Sequence, residues 1–426
     1  MMSVIKATIA MGVLAVSGLA AAAVDQPFST LQKGKYLVDA GDCVACHTAT
    51  KSQPFAGGRA IPTPFGTIYS ANITPDRDTG IGAWSENDFY RAMHEGRGPH
   101  GERLYPAFPY PYFTKMTRED VSAIRAYLMT LKPVRNSPPP NRLTWPLNAR
   151  PLMSGWDKLF FTPGEFVPNA QKSAEWNRGA YLVEGAAHCG ACHTEKNALG
   201  GDKTNKALRG GPIQDWTAPS LVADERNGLG RWSKEDVVEY LKTGRNRFSG
   251  ATGLMGEVVV NSTSKLTDGD LNAIATYLKD LPSQGETSAS APSDAMRAAG
   301  RAIYEDSCAA CHQASGEGVP HMFPPLKGSA VAQQTDPSTV IRIILEGAMT
   351  VRTAARPTPS AMPAFGWKLT NDQVAAVANY VRHAWGNNAP PVTAAAISRM
   401  RNALDDDKAG PQTVGSGANL DELPHR

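Results

Sequence analysis

The sequence predicts an all-α protein built from three tandem helical units with loop-rich connections. Each unit carries one Cys-x-x-Cys-His motif, beginning at Cys43, Cys189 and Cys308, and these motifs use all 6 cysteines of the chain. Each unit also ends in a segment that begins with Thr and continues with apolar residues at helical spacing. The 39 glycines and 32 prolines among 426 residues indicate long irregular connections.

The first predicted helix of each unit leads into the cysteines. Related segments begin at Gly34 and Gly179, and a looser version begins at Gly300. A middle helix follows in each unit. Ser85 and Ser233, each directly after a tryptophan, are good N-caps for it, and Asp336-Pro337 offers a start in the third unit.

The last predicted helix of each unit begins with a capping box. The capping residues are Thr117, Thr267 and Thr370, each followed three residues later by Asp or Gln. A tyrosine lies ten residues after each of these threonines, at 127, 277 and 380. This shared register indicates that the three units are copies of one fold.

Repeats and changes in composition predict the boundaries of the chain's parts. They are a signal peptide at 1–23, units at 28–132, 171–282 and 294–390, a Pro-rich linker at 133–170, a linker at 283–293 and a poorly ordered polar tail at 391–426. The Pro-rich linker is expected to pack on the surface, because Trp145, Trp156, Phe160 and Phe161 need cover.

Charge and the N-terminal segment restrict the possible partners and compartment. The formal net charge is +3, and without Lys6 it is +2 (3 − 1), with no basic run, which excludes nucleic acid as a predicted partner. Lys6, the apolar stretch after it and four alanines at 20–23 are typical of a secretory signal peptide, with a retained membrane anchor as the alternative. Export to a periplasm follows from the first interpretation.

The Cys-x-x-Cys-His motif is typical of covalent haem attachment. It places two thiols one turn apart for thioether bonds to one haem, and the adjacent histidine under the iron. A zinc site, a redox dithiol and disulfides are the alternatives. Zinc sites usually need a second ligand pair, which no unit contains, and a thioredoxin-like dithiol needs a βαβ context. The sequence therefore predicts three covalently bound haem c groups.

The three sites then have named ligands. Thioether bonds are predicted at Cys43, Cys46, Cys189, Cys192, Cys308 and Cys311, and proximal iron ligands at His47, His193 and His312. A backbone carbonyl in 324–326 is expected to accept the proton of the third proximal imidazole. The predicted distal ligands of the second and third sites are Met255 and Met362, with Met322 and Met349 as alternatives in the third unit.

The first unit breaks the pattern of distal methionines. Phe108 stands nine residues before its capping threonine, and Phe cannot ligate iron. Met116 is the predicted distal ligand there, because the end of the loop can still face the haem. Met93, His94 and His100 are the alternatives.

The chain resembles the triheme cytochrome c subunits of membrane-associated periplasmic dehydrogenases over roughly residues 30–390. The resemblance rests on the three motifs in this order, on the strings at 105–110 and 70–76, and on Met255-Gly256-Glu257-Val258-Val259. It implies three tandem cytochrome c-like domains. It also implies electron relay from a catalytic subunit that oxidises alcohols, aldehydes, sugars or sugar acids to ubiquinone or another acceptor.

These observations predict an electron-transfer subunit, with catalysis in a partner subunit, at the periplasmic face of the inner membrane. The polar tail suggests that membrane association is indirect or peripheral. One alternative is a multihaem oxidase or peroxidase with an open first haem. Another is a freestanding periplasmic electron carrier.

Overall fold

A computed structural model of the chain describes residues 28–283, 285 and 289–409. The predicted signal peptide, 1–23, lies outside the described residues, as does the part of the predicted tail at 410–426. The described chain is mostly helical, as predicted. It also contains three small antiparallel sheets, which the all-α prediction omitted.

The first unit and the linker after it contain six helices and one sheet. The helices are α1 (Phe28–Ala40), α2 (Cys43–His47), α3 (Glu86–Glu95), α4 (Tyr110–Phe113), α5 (Arg118–Leu128) and α6 (Met153–Phe160). The strands are β1 (Ala60–Thr63), β2 (Gly66–Tyr69) and β3 (Arg142–Leu143), in that order across the sheet. Because β3 belongs to the linker, the linker is joined to the first unit by strand pairing.

The second and third units repeat this plan. The second unit contains α7 (Ala174–Tyr181), α8 (Gly190–His193), α9 (Lys234–Thr243), α10 (Gly253–Asn261) and α11 (Asp268–Asp280), with strands β4 (Gly211–Ile213) and β5 (Trp216–Ala218). The third unit contains α12 (Asp294–Ser307), α13 (Ala309–His312), α14 (Ser338–Glu346) and α15 (Asn371–His383), with strands β6 (Ala348–Met349) and β7 (Ala361–Met362). A final helix, α16, spans Ala394–Ala409.

A glycine forms the crossing point between the first and last helices of each unit. An ideal Cβ on Gly34 would lie 1.9 Å from the carbonyl oxygen of Ala123, and one on Gly179 would lie 1.9 Å from that of Ala273. The third crossing, at Gly300, has a corresponding distance of 2.2 Å. The helices approach so closely that only a residue without a side chain fits.

The predicted caps Ser85 and Ser233 are present, but α14 begins at Ser338, one residue later than predicted, and its N-cap Pro337 offers no side-chain bond. The threonine caps of the last helices are also present, but the first two units use theirs differently from the third. Thr117, Thr267 and Thr370 each accept a bond from the amide three residues on. Only Thr370 has the full reciprocal box, with Gln373. In the first two units the carboxylate of the third residue turns instead toward the neighbouring unit.

The first two units exchange equivalent contacts across their shared interface. The Tyr181 hydroxyl of the second unit donates to Asp120 and accepts from the Thr117 amide at 3.2 Å. The Tyr36 hydroxyl of the first unit donates to Asp270 at 2.6 Å and accepts from the amide of the second capping threonine at 3.2 Å. Each unit therefore caps a helix of the other, and one hydrophobic core extends through both.

The third unit has its own core and covers one face of the second unit. The Val351 amide donates to the Ala251 carbonyl at 3.2 Å. Arg245, 8% exposed, donates to the Ser360 hydroxyl at 2.9 Å and to the Thr358 carbonyl at 2.8 Å. These contacts hold the third unit against the end of α9.

The linker covers the matching face of the first unit. Its buried Asp157 accepts a bond from Tyr110 at 2.6 Å and pairs with Arg103 at 2.6 Å. Trp156 and Phe161 pack their rings on Tyr110, as the expected surface packing requires. Trp145 is an exception, since it is 84% exposed.

The expectation of a poorly ordered tail from residue 391 is wrong for α16. This helix packs on the third unit through Ile397, Met400 and Leu404, all buried in its core. Thr393 accepts a bond from the Ala396 amide at the start of the helix, at 3.3 Å. Apolar residues at positions i, i+3 and i+7 after a capping Thr are the signal that could have predicted it. Among the described residues, none of the helices combines the length and the hydropathy needed to cross a membrane.

Candidate haem-binding sites

Each Cys-x-x-Cys-His motif forms a short helical turn directly after the first helix of its unit. In the second and third motifs the amide of the histidine donates to the first cysteine's carbonyl at 3.0 Å. All six thiols are free of disulfide bonds. The helical turn places the two thiols of each motif on the same side, as attachment to one haem requires.

A backbone carbonyl orients each of the three motif histidines. The Nδ1 atom of His47 lies 2.6 Å from the Ala71 oxygen, and that of His193 lies 2.7 Å from the Pro219 oxygen. A carbonyl oxygen only accepts, so Nδ1 must carry the proton and Nε2 must carry the lone pair. That is the tautomer that binds iron through Nε2.

The third histidine confirms the carbonyl partner predicted from sequence. His312 Nδ1 lies 3.0 Å from the oxygen of Pro324. The carbonyl partners of the other two histidines lie 24 and 26 residues after them, and sequence reasoning missed both. Ala71 belongs to the string at 70–76 that supports the resemblance, which is the signal that could have indicated the first of them.

Burial shifts the pKa values of the motif histidines and cysteines, and the shifts of the histidines favour iron ligation. Burial lowers the pKa of His47, His193 and His312, which keeps the imidazoles neutral and able to ligate a metal. Burial also raises the pKa of Cys43 and Cys189 to about 12, so these thiols stay protonated near neutral pH.

The first and second motifs lie close to each other. Protein atoms surround the Cys46 thiol of the first motif. Burial and the Asp42 carboxyl raise its pKa to about 11, and Cys192 of the second motif contributes to this rise. The two sites therefore lie within electrostatic reach of each other.

Each of these motifs is covered by the distal segment of the other unit, which is the stretch between the middle and last helices, 97–116 in the first unit and 245–266 in the second. Helix α10, which carries Met255, packs on α2. In return Tyr112 on α4 packs on Gly190, where an added Cβ would lie 2.7 Å from the ring.

An ion pair between the first and second units lies beside the first motif. Arg59 donates to the Ala45 carbonyl at 2.5 Å and to Glu257 on α10 at 3.0 Å. Burial, together with Glu257, raises the pKa of the adjacent Asp42 to about 8. The Arg59–Glu257 pair thus holds the first motif and α10 together.

The predicted distal ligands fall into two different environments. Met255 on α10 and Met362 on β7 are both half-buried, at the edge of the core. Met116, in contrast, is 1% exposed within the core shared by the first two units. The third-unit alternative Met322 is 54% exposed in a loop, and Met349 is on β6, paired with β7.

The donor set fits covalently attached haem at each motif. It consists of two free thiols one turn apart and a neutral imidazole whose Nε2 lone pair is available. A glycine-mediated crossing of the first and last helices supports the turn that carries them. This fold and these sites define a c-type cytochrome.

Comparison with known proteins gives the family. The Cytochrome c family model matches residues 31–132 and 297–385. The gluconate 2-dehydrogenase cytochrome c subunit of Pantoea cypripedii is 41% identical over 91% of this chain and 93% of its own length. The cytochrome c subunit of the quinone alcohol dehydrogenase of Gluconobacter oxydans is 40% identical, covering 93% and 87%. The fructose dehydrogenase cytochrome subunit of Gluconobacter japonicus is 36% identical, covering 87% and 82%.

The chain therefore belongs to the family of dehydrogenase cytochrome c subunits, which confirms the resemblance to such subunits. Like the cytochrome c subunits of that family, it functions as an electron-transfer subunit.

Proposed function

We propose that the chain carries three haem c groups and relays electrons from the catalytic subunit of a periplasmic dehydrogenase to ubiquinone or another respiratory acceptor. The observation that carries the proposal is the threefold repetition of one donor set. Each set joins a thiol pair to a histidine whose Nδ1 is held by a carbonyl. The names of the relatives support a dehydrogenase partner.

The chain's own residues divide the work at each site. The six cysteines, Cys43, Cys46, Cys189, Cys192, Cys308 and Cys311, would hold the haem groups, and His47, His193 and His312 would ligate the irons. Met255 and Met362 would complete the second and third sites. Haem supplies an iron that changes oxidation state by one electron.

The carbonyl contacts would tune the sites. A carbonyl that accepts the Nδ1 proton makes the imidazole a stronger donor and fixes its ring plane. The same contact occurs in all three units, so we attribute differences between the sites to their distal sides and to their burial.

Relay also requires that the units keep a constant distance from each other. The exchanged Tyr36 and Tyr181 contacts join the first and second units. Between the second and third units, the Thr217 amide donates to the Thr339 hydroxyl at 2.7 Å, and Arg245 reaches across the same interface. These polar contacts restrict the units to one arrangement, which favours transfer along a defined route.

The chain is proposed to act at the periplasmic face of the inner membrane, with substrate oxidation in its partner. Export follows from the predicted signal peptide at 1–23, and association with the membrane would be indirect or peripheral.

Haem content tests the first part of the proposal. We expect a pyridine haemochrome assay to find three haem groups per chain and acidified organic solvent to leave them attached. The paired variant Cys308→Ala with Cys311→Ala should retain two. Met322→Leu, which changes an exposed residue of the same unit, is the matched control and should retain three. Fewer than three groups in the unaltered chain, or bound zinc, would contradict the proposal.

Co-purification tests the second part. The chain, tagged at its C-terminus and isolated from membranes under mild conditions, should carry a larger oxidoreductase subunit, and that subunit's substrate should reduce the haem groups. Isolation of the chain alone, from the soluble periplasmic fraction, would instead support a freestanding carrier.

A further inference from the structure

The distal segments of the first and second units can be aligned from their backbone contacts. In the second unit Gly244 ends α9, and its carbonyl accepts a bond from the Ala251 amide at 2.7 Å. In the first unit Gly96 ends α3, and its carbonyl accepts from the Leu104 amide at 2.8 Å. Both glycines have positive φ and are followed by a short hairpin, closed by the bridges Arg97–Arg103 and Arg245–Gly250. Leu104 and Ala251 are therefore equivalent.

Counting from these equivalent residues places Phe108 at the position of Met255. Each lies four residues beyond its reference residue. Phe108 lies two residues before α4, and Met255 lies in the first turn of α10. The remaining difference, three fewer residues before the capping threonine in the first unit, falls after this point, where α4 replaces the longer α10. The first unit thus has a phenyl ring in the place of a thioether.

Counting back from the capping threonines gives Met116 a different equivalent. It directly precedes Thr117, as Leu266 precedes Thr267 and Leu369 precedes Thr370. All three are buried in a hydrophobic core. Met116 therefore has the packing role that leucine has in the other two units.

The other sulfur and imidazole side chains of the first unit also have non-ligand equivalents. Met93 and His94 lie three and two residues before Gly96, and they correspond to Leu241 and Lys242, which lie three and two residues before Gly244. Met129 corresponds to Lys279, by the register of the last helices. His100 is exposed at the turn of the hairpin.

One histidine reaches the first unit from outside. His188 of the second unit packs its ring edge on Phe113 of α4, with ring centroids 5.2 Å apart. Its equivalent in the first unit is Asp42, which also has positive φ directly before its first cysteine. Asp42 directly precedes α2, which contacts α10 and the Arg59–Glu257 pair, so this position lies at the interface between the first two units.

We propose that the first haem site of this chain has no protein ligand on its distal side and takes up a small exogenous ligand. The inference rests on the proposed haem attachment and goes beyond it, since it assigns a binding site for small π-acceptor ligands such as carbon monoxide. Because methionine raises the iron potential, this site would also have the lowest potential of the three. Met116 is thereby assigned to the core, in place of the ligand role predicted from sequence.

Carbon monoxide uptake by the reduced, fully loaded protein tests this proposal. Haem content is measured first, so that failure of haem attachment is recognised separately. We expect one carbon monoxide per chain with three haem groups, and NMR should show the shifted methyl resonances of two iron-bound methionines. Three such resonances, no uptake, or the electron paramagnetic resonance of a bis-histidine site would overturn the proposal.

Two variants make the test specific. Met116→Leu, which installs the residue present in the other two units, should change neither the uptake nor the methionine resonances. Phe108→Met should add a third methionine resonance and abolish the uptake. Loss of a resonance in Met116→Leu would show that Met116 is a ligand, and an unchanged Phe108→Met spectrum would refute the alignment.

Discussion

Replacing Gly179 by alanine should separate the first and last helices of the second unit. The new Cβ would lie 1.9 Å from the Ala273 carbonyl oxygen and 2.9 Å from the Tyr277 Cβ. Real Cβ atoms essentially never come closer than 3.0 Å to such a neighbour, so the helices must move apart by at least 1.1 Å (3.0 − 1.9). Since the closest atom is a backbone carbonyl oxygen, no rotamer change can relieve the clash.

The expected cost follows from two opposing effects. Overpacking of a core costs about 1–3 kcal/mol, and a backbone clash belongs at the upper end, about 3 kcal/mol. Alanine regains about 1 kcal/mol over glycine within a helix. The net loss of about 2 kcal/mol would lower the midpoint of thermal unfolding by about 4–8 °C, at about 2–4 °C per kcal/mol for a body of this size.

The assay is thermal unfolding of the loaded protein by far-ultraviolet circular dichroism at one scan rate. Gly269→Ala, in α11 of the same unit, is the matched control, because its nearest neighbour would lie at 3.9 Å, an ordinary contact. It should unfold at the wild-type temperature or slightly above. If Gly179→Ala unfolds no earlier than this control, the close helix crossing is not as described.

Three further predictions concern the interface, its pH dependence and the final helix. Tyr181→Phe leaves the buried Asp120 without its hydroxyl donor, so the free energy of unfolding measured by denaturant titration should fall by about 1–3 kcal/mol. An unchanged free energy would mean that the exchanged contacts do not stabilise the pair of units. Burial opposes ionisation of Asp270, but bonds from Arg178 and Tyr36 outweigh it and hold its pKa below the usual 3.8. The ionised carboxylate therefore stabilises the fold above pH 3.8, and this stabilisation is lost as the pH falls through the pKa of the folded state. The difference in free energy of unfolding between the wild type and Asp270→Asn should shrink on acidification. A difference that stays constant would argue against this assignment. Ile397→Ala, at a fully buried position of α16, should destabilise the third unit by about 2–5 kcal/mol, whereas no loss would show that the helix is not part of its core.

Local patterns predicted the features that depend on a few neighbouring residues. The Cys-x-x-Cys-His motifs imply thiols and an imidazole on one turn whatever surrounds them, and the three capping threonines start helices as their sequence context requires. The Pro324 carbonyl was also predictable, because it lies only twelve residues after His312 in a segment that proline keeps extended.

Contacts between distant residues were not predictable in this way. Asp120 and Asp270 fit the third position of a capping box, yet each accepts a bond from a tyrosine of the other unit. The partner of Tyr36 lies 234 residues away, so no local pattern connects them. Each carboxylate gains a tyrosine from the other unit and a cation from its own unit, Lys33 for Asp120 and Arg178 for Asp270, and these partners outweigh the local box.

The sequence by itself determined the chemistry of this chain, since the paired thiols and the adjacent histidine follow one another directly and repeat three times. Only the tertiary structure decided the register of the loops before the last helices, because their lengths differ between units. Met116 and Phe108 illustrate the reason: spacing from the cap aligns neither of them with Met255, whereas the backbone contacts of the hairpin after α3 align Phe108 with it, and burial places Met116 in the core.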